Sequence, residues 1–174
     1  MIKKTLIFTA TYNESENINY FLESILKLNL DIDVLIIDDN SPDKTWELVE
    51  KYSTNNPNIK LIKRDGKEGL DTAHKMAFNY SIKNNYDILI TMDADLSHDP
   101  KVIPKFINEL NNNSFVLGSR YVNGGKCGLK GFRLILSIFG NKFIKFMFNI
   151  NCNEFTTSYR GFNLKKMGNF NLEN

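Results

Sequence analysis

Short apolar runs alternating with stretches of helical spacing narrow the possible folds of this chain more than any other feature. Leu6-Ile7-Phe8, Val34-Leu35-Ile36-Ile37, Ile59 to Ile62, Ile88-Leu89-Ile90 and Phe115-Val116-Leu117 are each of strand length. Between the first four lie Ile18, Phe21, Leu22, Ile25 and Leu26, then Trp46, Leu48, Val49 and Tyr52, then Ala73, Met76, Ala77 and Tyr80, all at helical spacing. The order is β-α-β-α-β-α-β. Strands that are continuously apolar are buried on both faces, so this order predicts an α/β fold with a mostly parallel, Rossmann-like sheet and helices on both sides. A length of 174 residues with 42% apolar composition suits a single domain over residues 1–174, with one half at 1–100 and another at 101–174.

Local signals place the helix starts just after the strands. Asn13 with Glu16 reads as a capping box for the first helix, and Ser41-Pro42 as an N-cap and first-turn proline for the second. In open α/β sheets ligands bind beyond the carboxyl ends of the strands. Three clusters fall there: Thr11-Tyr12-Asn13-Glu14, Asp38-Asp39-Asn40-Ser41-Pro42-Asp43 and Met92-Asp93-Ala94-Asp95-Leu96-Ser97-His98. The Asp38-Asp39 pair suits either helix capping or hydrogen bonds from a nucleobase N–H or ribose hydroxyl. Asp93 and Asp95 alternate in an extended segment and so can point oxygens at one hard cation, Mg²⁺ or Mn²⁺. Such ions share their ligands with substrate phosphates, as a diphosphate leaving group requires. A plain turn is the competing reading, and the position at a strand end favours the cation. His74 and His98 read as packing or surface residues. Neither a Gly-x-x-x-x-Gly-Lys-Ser/Thr loop nor a Gly-x-Gly-x-x-Gly after the first strand is present, which removes the main support for kinase, GTPase and dinucleotide oxidoreductase readings.

Charge divides the chain. Residues 1–100 carry 11 Lys and Arg against 17 Asp and Glu, whereas residues 101–174 carry 11 against 3. The basic part suits either a solvated face or an anionic partner such as a membrane surface. Within it, the stretch from Phe132 to Ile150 is strongly apolar but interrupted by Arg133, Gly140, Asn141, Lys142 and Lys145, which disfavours a transmembrane span and leaves an interfacial helix or a core helix. Cys127 and Cys152 lack metal-ligand spacing and suggest no disulfide framework, and the apolar run Thr5 to Ala10 is too short for a secretory signal. A cytoplasmic protein, peripheral on the cytosolic face of a membrane, is expected.

Together these segments resemble the polyprenol-phosphate (dolichol-phosphate) mannosyltransferases, inverting GT-A glycosyltransferases of family two. Gly66-Lys67-Glu68-Gly69-Leu70-Asp71-Thr72-Ala73 and Gly118-Ser119-Arg120-Tyr121 extend the resemblance, as does Glu154 to Arg160, which is similar to the family's Asp-x-Thr-Ser-Gly-Phe-Arg. The chain departs from the family at Ala10, where proline is common, at Lys44 and Asp71 (glycine), at His74 (aromatic), and at Glu154 and Ser158 (aspartate and glycine).

The resemblance implies a GT-A fold and transfer of a hexose, mannose from GDP-mannose first of all, to a polyprenyl or dolichyl phosphate. By matching positions it implies a nucleotide-sugar pocket of Ala10, Tyr12, Glu14, Ile37, Asp39, Asp93, Ala94, Asp95 and Arg120. It implies a metal held by Asp93 and Asp95 with Ser97 as a third position, and an acceptor phosphate held by Arg120, Arg133 and Ser137. Asp95, Arg120, Arg133 and Ser137 are accordingly the expected catalytic set. A phosphate monoester is already ionised near neutral pH, its second pKa being about 6, so no general base is required. The implied partners are the sugar donor, the lipid phosphate, a membrane surface and a membrane-anchoring subunit, with no nucleic acid. Family members continue further, with an Arg and a Lys against the donor diphosphate, so a C-terminally truncated form is expected. Two alternatives stand beside this reading: a related transferase acting on a sugar or protein hydroxyl, and a nucleotide-binding domain without turnover.

Overall fold

The computed structural model describes residues 3–122, 125, 131–150 and 152–168, and only the backbone of Arg133. Cys127 lies outside the described residues. Two compact units divide the chain, Met1–Val116 with Arg160–Asn174, and Leu117–Tyr159.

The first unit follows the expected alternation: β1 (Thr5–Thr11), α1 (Ile18–Leu26), β2 (Ile32–Asp38), α2 (Thr45–Asn55), β3 (Ile59–Lys63), α3 (Leu70–Lys83) and β4 (Ile88–Thr91). A short 3-10 turn, Pro100–Val102, leads into α4 (Ile103–Glu109), and β5 (Phe115–Leu117) follows. The chain returns from the second unit through β6 (Arg160–Asn163) and α6 (Leu164–Met167). The six-stranded sheet has the order β3-β2-β1-β4-β6-β5. β1 pairs in parallel with β2 and β4, and β2 with β3, while β6 runs antiparallel to β4.

Burial explains the apolar runs of β1, β2 and β4. Leu6, Phe8, Leu35, Ile37 and Leu89 pack with Ala73, Ala77 and Phe78 of α3 on one face. The alternate residues Ile7, Ile36, Ile88 and Ile90, which point to the other face, are also fully buried. Each such side chain contributes about 1.5–3 kcal/mol relative to exposure. On β6, Gly161 is required: a Cβ there would stand 2.8 Å from Phe106 Cδ1 and 2.9 Å from Leu110 Cδ1. β6 was missed in the sequence because Arg-Gly-Phe-Asn has no apolar run.

Both predicted helix starts are displaced. α1 begins at Ile18, after Asn17, without a side-chain cap, so Asn13 and Glu16 form no capping box. The backbone donors of this turn are satisfied instead by the β2–α2 loop: Asn13 N–H donates to Ser41 Oγ (3.1 Å), Glu14 N–H to Thr45 Oγ1 (3.0 Å) and Ser15 N–H to Asp43 Oδ2 (2.9 Å). Asn13 itself is left-handed, φ 62°. α2 begins at Thr45 rather than at Pro42, and Asp43 Oδ1 accepts both Thr45 N–H (3.0 Å) and Thr45 Oγ1–H (2.6 Å). Ser41 is drawn away from capping by Asp38.

The second unit is built on α5 (Gly131–Phe148). Its exposed residues include Phe132, Ile135, Phe139, Phe143 and Phe146, the last 84% exposed, while Asn141 is buried. Among the described residues, most of α5's large apolar side chains are therefore uncovered. Among the described residues no helix is long and apolar enough to cross a membrane.

Candidate functional site

In the first unit the predicted residues gather at the carboxyl ends of β1, β2 and β4. The parallel register sets Ala10 beside Ile37 and Thr11 beside Asp38. Asp38 is fully buried and is the turn-maker of the acidic pair: its Oδ2 accepts the hydroxyls of Thr11 and Ser41, both at 2.7 Å, and its Oδ1 accepts Ser41 N–H at 2.8 Å. Ile37's side chain lies in the core, so only its backbone can line a pocket. Tyr12 is exposed, with the ammonium of Lys67 4.0 Å from its ring centroid. Glu14 Oε2 accepts Asn17 Nδ2–H at 2.9 Å.

Asp39 sits 7% exposed in an ion pair with Arg64 and accepts Gly69 N–H at 3.2 Å. Arg64 also donates to Thr72 Oγ1 (2.6 Å) and to the Gly69 carbonyl (3.0 Å), which ties the start of α3 to the end of β2. Gly69 precedes that helix with φ 95°, a conformation that favours glycine. Sequence reasoning missed Arg64; an arginine directly after an apolar strand was the available signal.

Asp93 and Asp95 follow β4, the first half-buried and the second exposed, with Ala94 buried between them. Asp95 Oδ1 accepts Ser97 N–H at 3.0 Å, and His98 Nδ1 accepts Asp93 N–H at 3.0 Å. His98 therefore folds the loop through its acceptor nitrogen. Leu96, at φ 64°, takes a left-handed conformation costly for such a residue. Among the described residues, no third His, Cys, Asp or Glu completes a cluster of three. Two carboxylates of this kind suit a hard cation that completes its shell with water and substrate phosphate. His74 packs edge-on against Phe8, 5.1 Å between centroids. Burial pushes its pKa down and the charge of Arg160 adds to that, against the opposing pull of Asp93 and Asp71, so it stays neutral near pH 7.

In the second unit, Arg120 is bound by Glu154, which is 1% exposed. Glu154 Oε2 accepts Arg120 N–H at 2.7 Å, and Oε1 accepts Nε–H at 2.7 Å together with Nη2–H. Tyr121 O–H donates to Ser137 Oγ at 2.7 Å, and the Arg120 Cζ lies 5.7 Å from the Tyr121 ring centroid. Arg120 and Ser137 are thus joined through Tyr121. Arg133 begins one helical turn before Ser137 on α5, and its side chain lies outside the described residues. Neither Glu154 nor Tyr121 was singled out as a site residue in the sequence.

The profile described as "Glycosyl transferase family 2" matches residues 6–168. An undecaprenyl-phosphate mannosyltransferase of Micrococcus luteus is 31% identical over 160 residues, 91% of this chain and 66% of that protein. A dolichol-phosphate mannosyltransferase of Pyrococcus furiosus is 39% identical over 126 residues, 71% of this chain and 35% of that protein. The chain therefore spans between about a third and two thirds of the length of these relatives. Among solved structures, the mannosyltransferase PcManGT of Pyrobaculum calidifontis, in complex with GDP-Man and Mn²⁺, superposes with a TM-score of 0.65 at 16% identity, over 99% of this chain and 49% of that one. That last likeness bears on the fold alone.

Proposed function

The chain belongs to glycosyl transferase family 2, and on that premise we propose that it transfers a hexose, mannose from GDP-mannose, to a polyprenyl phosphate with inversion at the anomeric carbon. The observation that carries the choice of acceptor is the charge of the second unit: residues 117–159 contain six Lys and Arg but a single carboxylate, Glu154. That carboxylate is buried and bound to Arg120, so this unit offers no general base for a hydroxyl acceptor. A phosphate monoester needs none. The names of the two bacterial and archaeal relatives support the same acceptor class.

In this reading Tyr12, Glu14 and Asp39, with the backbone of Ala10 and Ile37, hold the nucleoside, and Ala94 lies beside the donor. Asp93 and Asp95, with Ser97, would hold Mg²⁺ or Mn²⁺, which when bound supplies the charge that neutralises the leaving diphosphate. Arg120, Arg133 and Ser137 bind and orient the acceptor phosphate by charge-assisted hydrogen bonds. α5 lies in the interface of the cytosolic membrane face with its phenylalanines inserted and Lys142 and Lys145 toward anionic head groups. A membrane-anchoring subunit is compatible with this placement.

The test is incubation with radiolabelled GDP-mannose, UDP-glucose or UDP-GlcNAc, Mn²⁺ and a short polyprenyl phosphate. Label is expected to pass into the organic phase from GDP-mannose, and Asp95→Ala is expected to lose at least about a hundredfold in rate with its fold retained. Nucleotide binding without transfer from any donor would favour a binding domain, and undiminished transfer by Asp95→Ala would remove the metal assignment.

A further inference from the structure

Glu154 is the acidic residue around which the second unit's polar contacts are arranged. Its carboxylate is consumed by one residue: one oxygen takes the backbone amide of Arg120 and the other takes two N–H groups of the same residue's guanidinium. Backbone and side chain of Arg120 are thereby fixed together. The segment carrying Glu154 is itself anchored. Phe155 N–H donates to Asn141 Oδ1 at 2.7 Å, and Asn141 Nδ2–H donates to the Ser137 carbonyl at 2.8 Å. Asn141 is only 5% exposed, so this bridge from α5 to the Glu154 segment is shielded from water. Tyr121, adjacent to Arg120, closes the circuit at Ser137 Oγ.

A buried ion pair contributes little net stability, because desolvating both charges offsets their attraction. Its distinctive effect is on geometry: an arginine held along one edge retains a defined direction for the donors of its rigid fork. We propose that Glu154 is a positioning residue, which presets the guanidinium of Arg120 for the phosphate of the acceptor. This rests on the assignment of Arg120 to the acceptor phosphate given above. Glu154 acts through Arg120 and touches no substrate. A phosphate arriving at the preset Arg120 need not order that side chain on binding, and that saving appears as acceptor affinity.

The experiment measures the affinity of farnesyl phosphate and of GDP by calorimetry, with thermal unfolding as a control, in the unaltered chain, Arg120→Ala, Glu154→Gln, Glu154→Asp and the double variant Arg120→Ala/Glu154→Gln. Glu154→Gln is expected to weaken farnesyl phosphate about tenfold, the scale of one charge-assisted hydrogen bond, and to leave GDP unchanged. Glu154→Asp, which keeps the charge, is expected to recover part of the loss, and serves alone if Glu154→Gln does not fold. In the Arg120→Ala background the Glu154 change is expected to add nothing further. Unaltered acceptor affinity in both Glu154 variants, an equal loss in the Arg120→Ala background, or a parallel loss of GDP and acceptor binding would each overturn the inference. If the unaltered chain binds no farnesyl phosphate, or Arg120→Ala binds it normally, the acceptor assignment fails first and takes the inference with it.

Discussion

Replacing Arg64 by methionine tests the electrostatic frame at the carboxyl end of β2. Arg64 and Asp39 are 4% and 7% exposed and form an ion pair. The guanidinium also bonds Thr72 Oγ1 and the Gly69 carbonyl. Methionine fills much of the volume but leaves the Asp39 carboxylate buried with Gly69 N–H as its remaining hydrogen bond among those described. Removing one partner of a buried pair costs about 3–5 kcal/mol. Arg64 Nε has no hydrogen-bond partner among the described residues, so the pair is not fully satisfied and the lower end, about 3 kcal/mol, is expected. For a chain of this size that lowers Tm by about 6–12 °C. The assay is urea unfolding followed by the fluorescence of Trp46, whose ring is covered by Lys63 Nζ at 3.4 Å from the centroid. Asp39→Asn in the Arg64→Met background is expected to restore at least half of the loss, because it removes the unpaired charge. A loss under about 1 kcal/mol, or no recovery in the double variant, would refute the reasoning.

Two further outcomes are expected. Burial alone would raise the pKa of Asp43, but hydrogen bonds from Thr45 and Ser15 outweigh it and hold the carboxyl below its ordinary value. A depressed folded pKa stabilises above the unfolded value of about 3.9, and the contribution is lost as pH falls through the folded value. Asp43→Asn should therefore be less stable than the unaltered chain at pH 7, with the gap closing below about pH 4 in denaturant titrations; a gap independent of pH would show that the hydrogen bonds do not favour the charged form. On α5, Phe139 and Phe143 are 69% and 55% exposed. Phe139→Ser/Phe143→Ser should lower binding to vesicles containing anionic lipid at least about tenfold in flotation assays, with Tm almost unchanged, since each buried Phe is worth about 1.5–3 kcal/mol; equal flotation would remove the membrane role of this face.

The parts of the fold that were legible in the sequence were those decided locally. β1, β2 and β4 carry their apolar runs because both sheet faces are covered there, the edge strands β3 and β5 are only partly buried, and the helices between the strands carry the matching stripe. β6 is a strand because β4 offers it an open edge and because Gly161 admits Phe106 and Leu110. Neither cause is visible in Arg-Gly-Phe-Asn. The helix starts were misplaced for the same reason: the donors at 13–15 are satisfied by Ser41, Thr45 and Asp43, nearly thirty residues away. α5 was ambiguous because an apolar stretch does not say what it packs against.

The candidate site divides along the same line. Asp93 and Asp95 stood out because a strand end is a local feature and two alternating acids there are costly without a ligand or turn to explain them. Arg64 and Glu154 did not, since their partners lie 25 and 34 residues away and their meaning is in the pairing. Glu154 also alters what Arg120 can be. A guanidinium already facing a buried carboxylate attracts a distant anion less than a solvated one would, because the pair is nearly neutral when seen from afar. Close to, it is a better donor, because its orientation is settled before the ligand arrives. For the proposed lipid-phosphate acceptor, the long-range attraction must then come from the excess of Lys and Arg over carboxylates in the sequence of the same unit, and the short-range selection from the fixed fork. A sequence shows the first as a charge count; the second exists only once Glu154 is folded against Arg120.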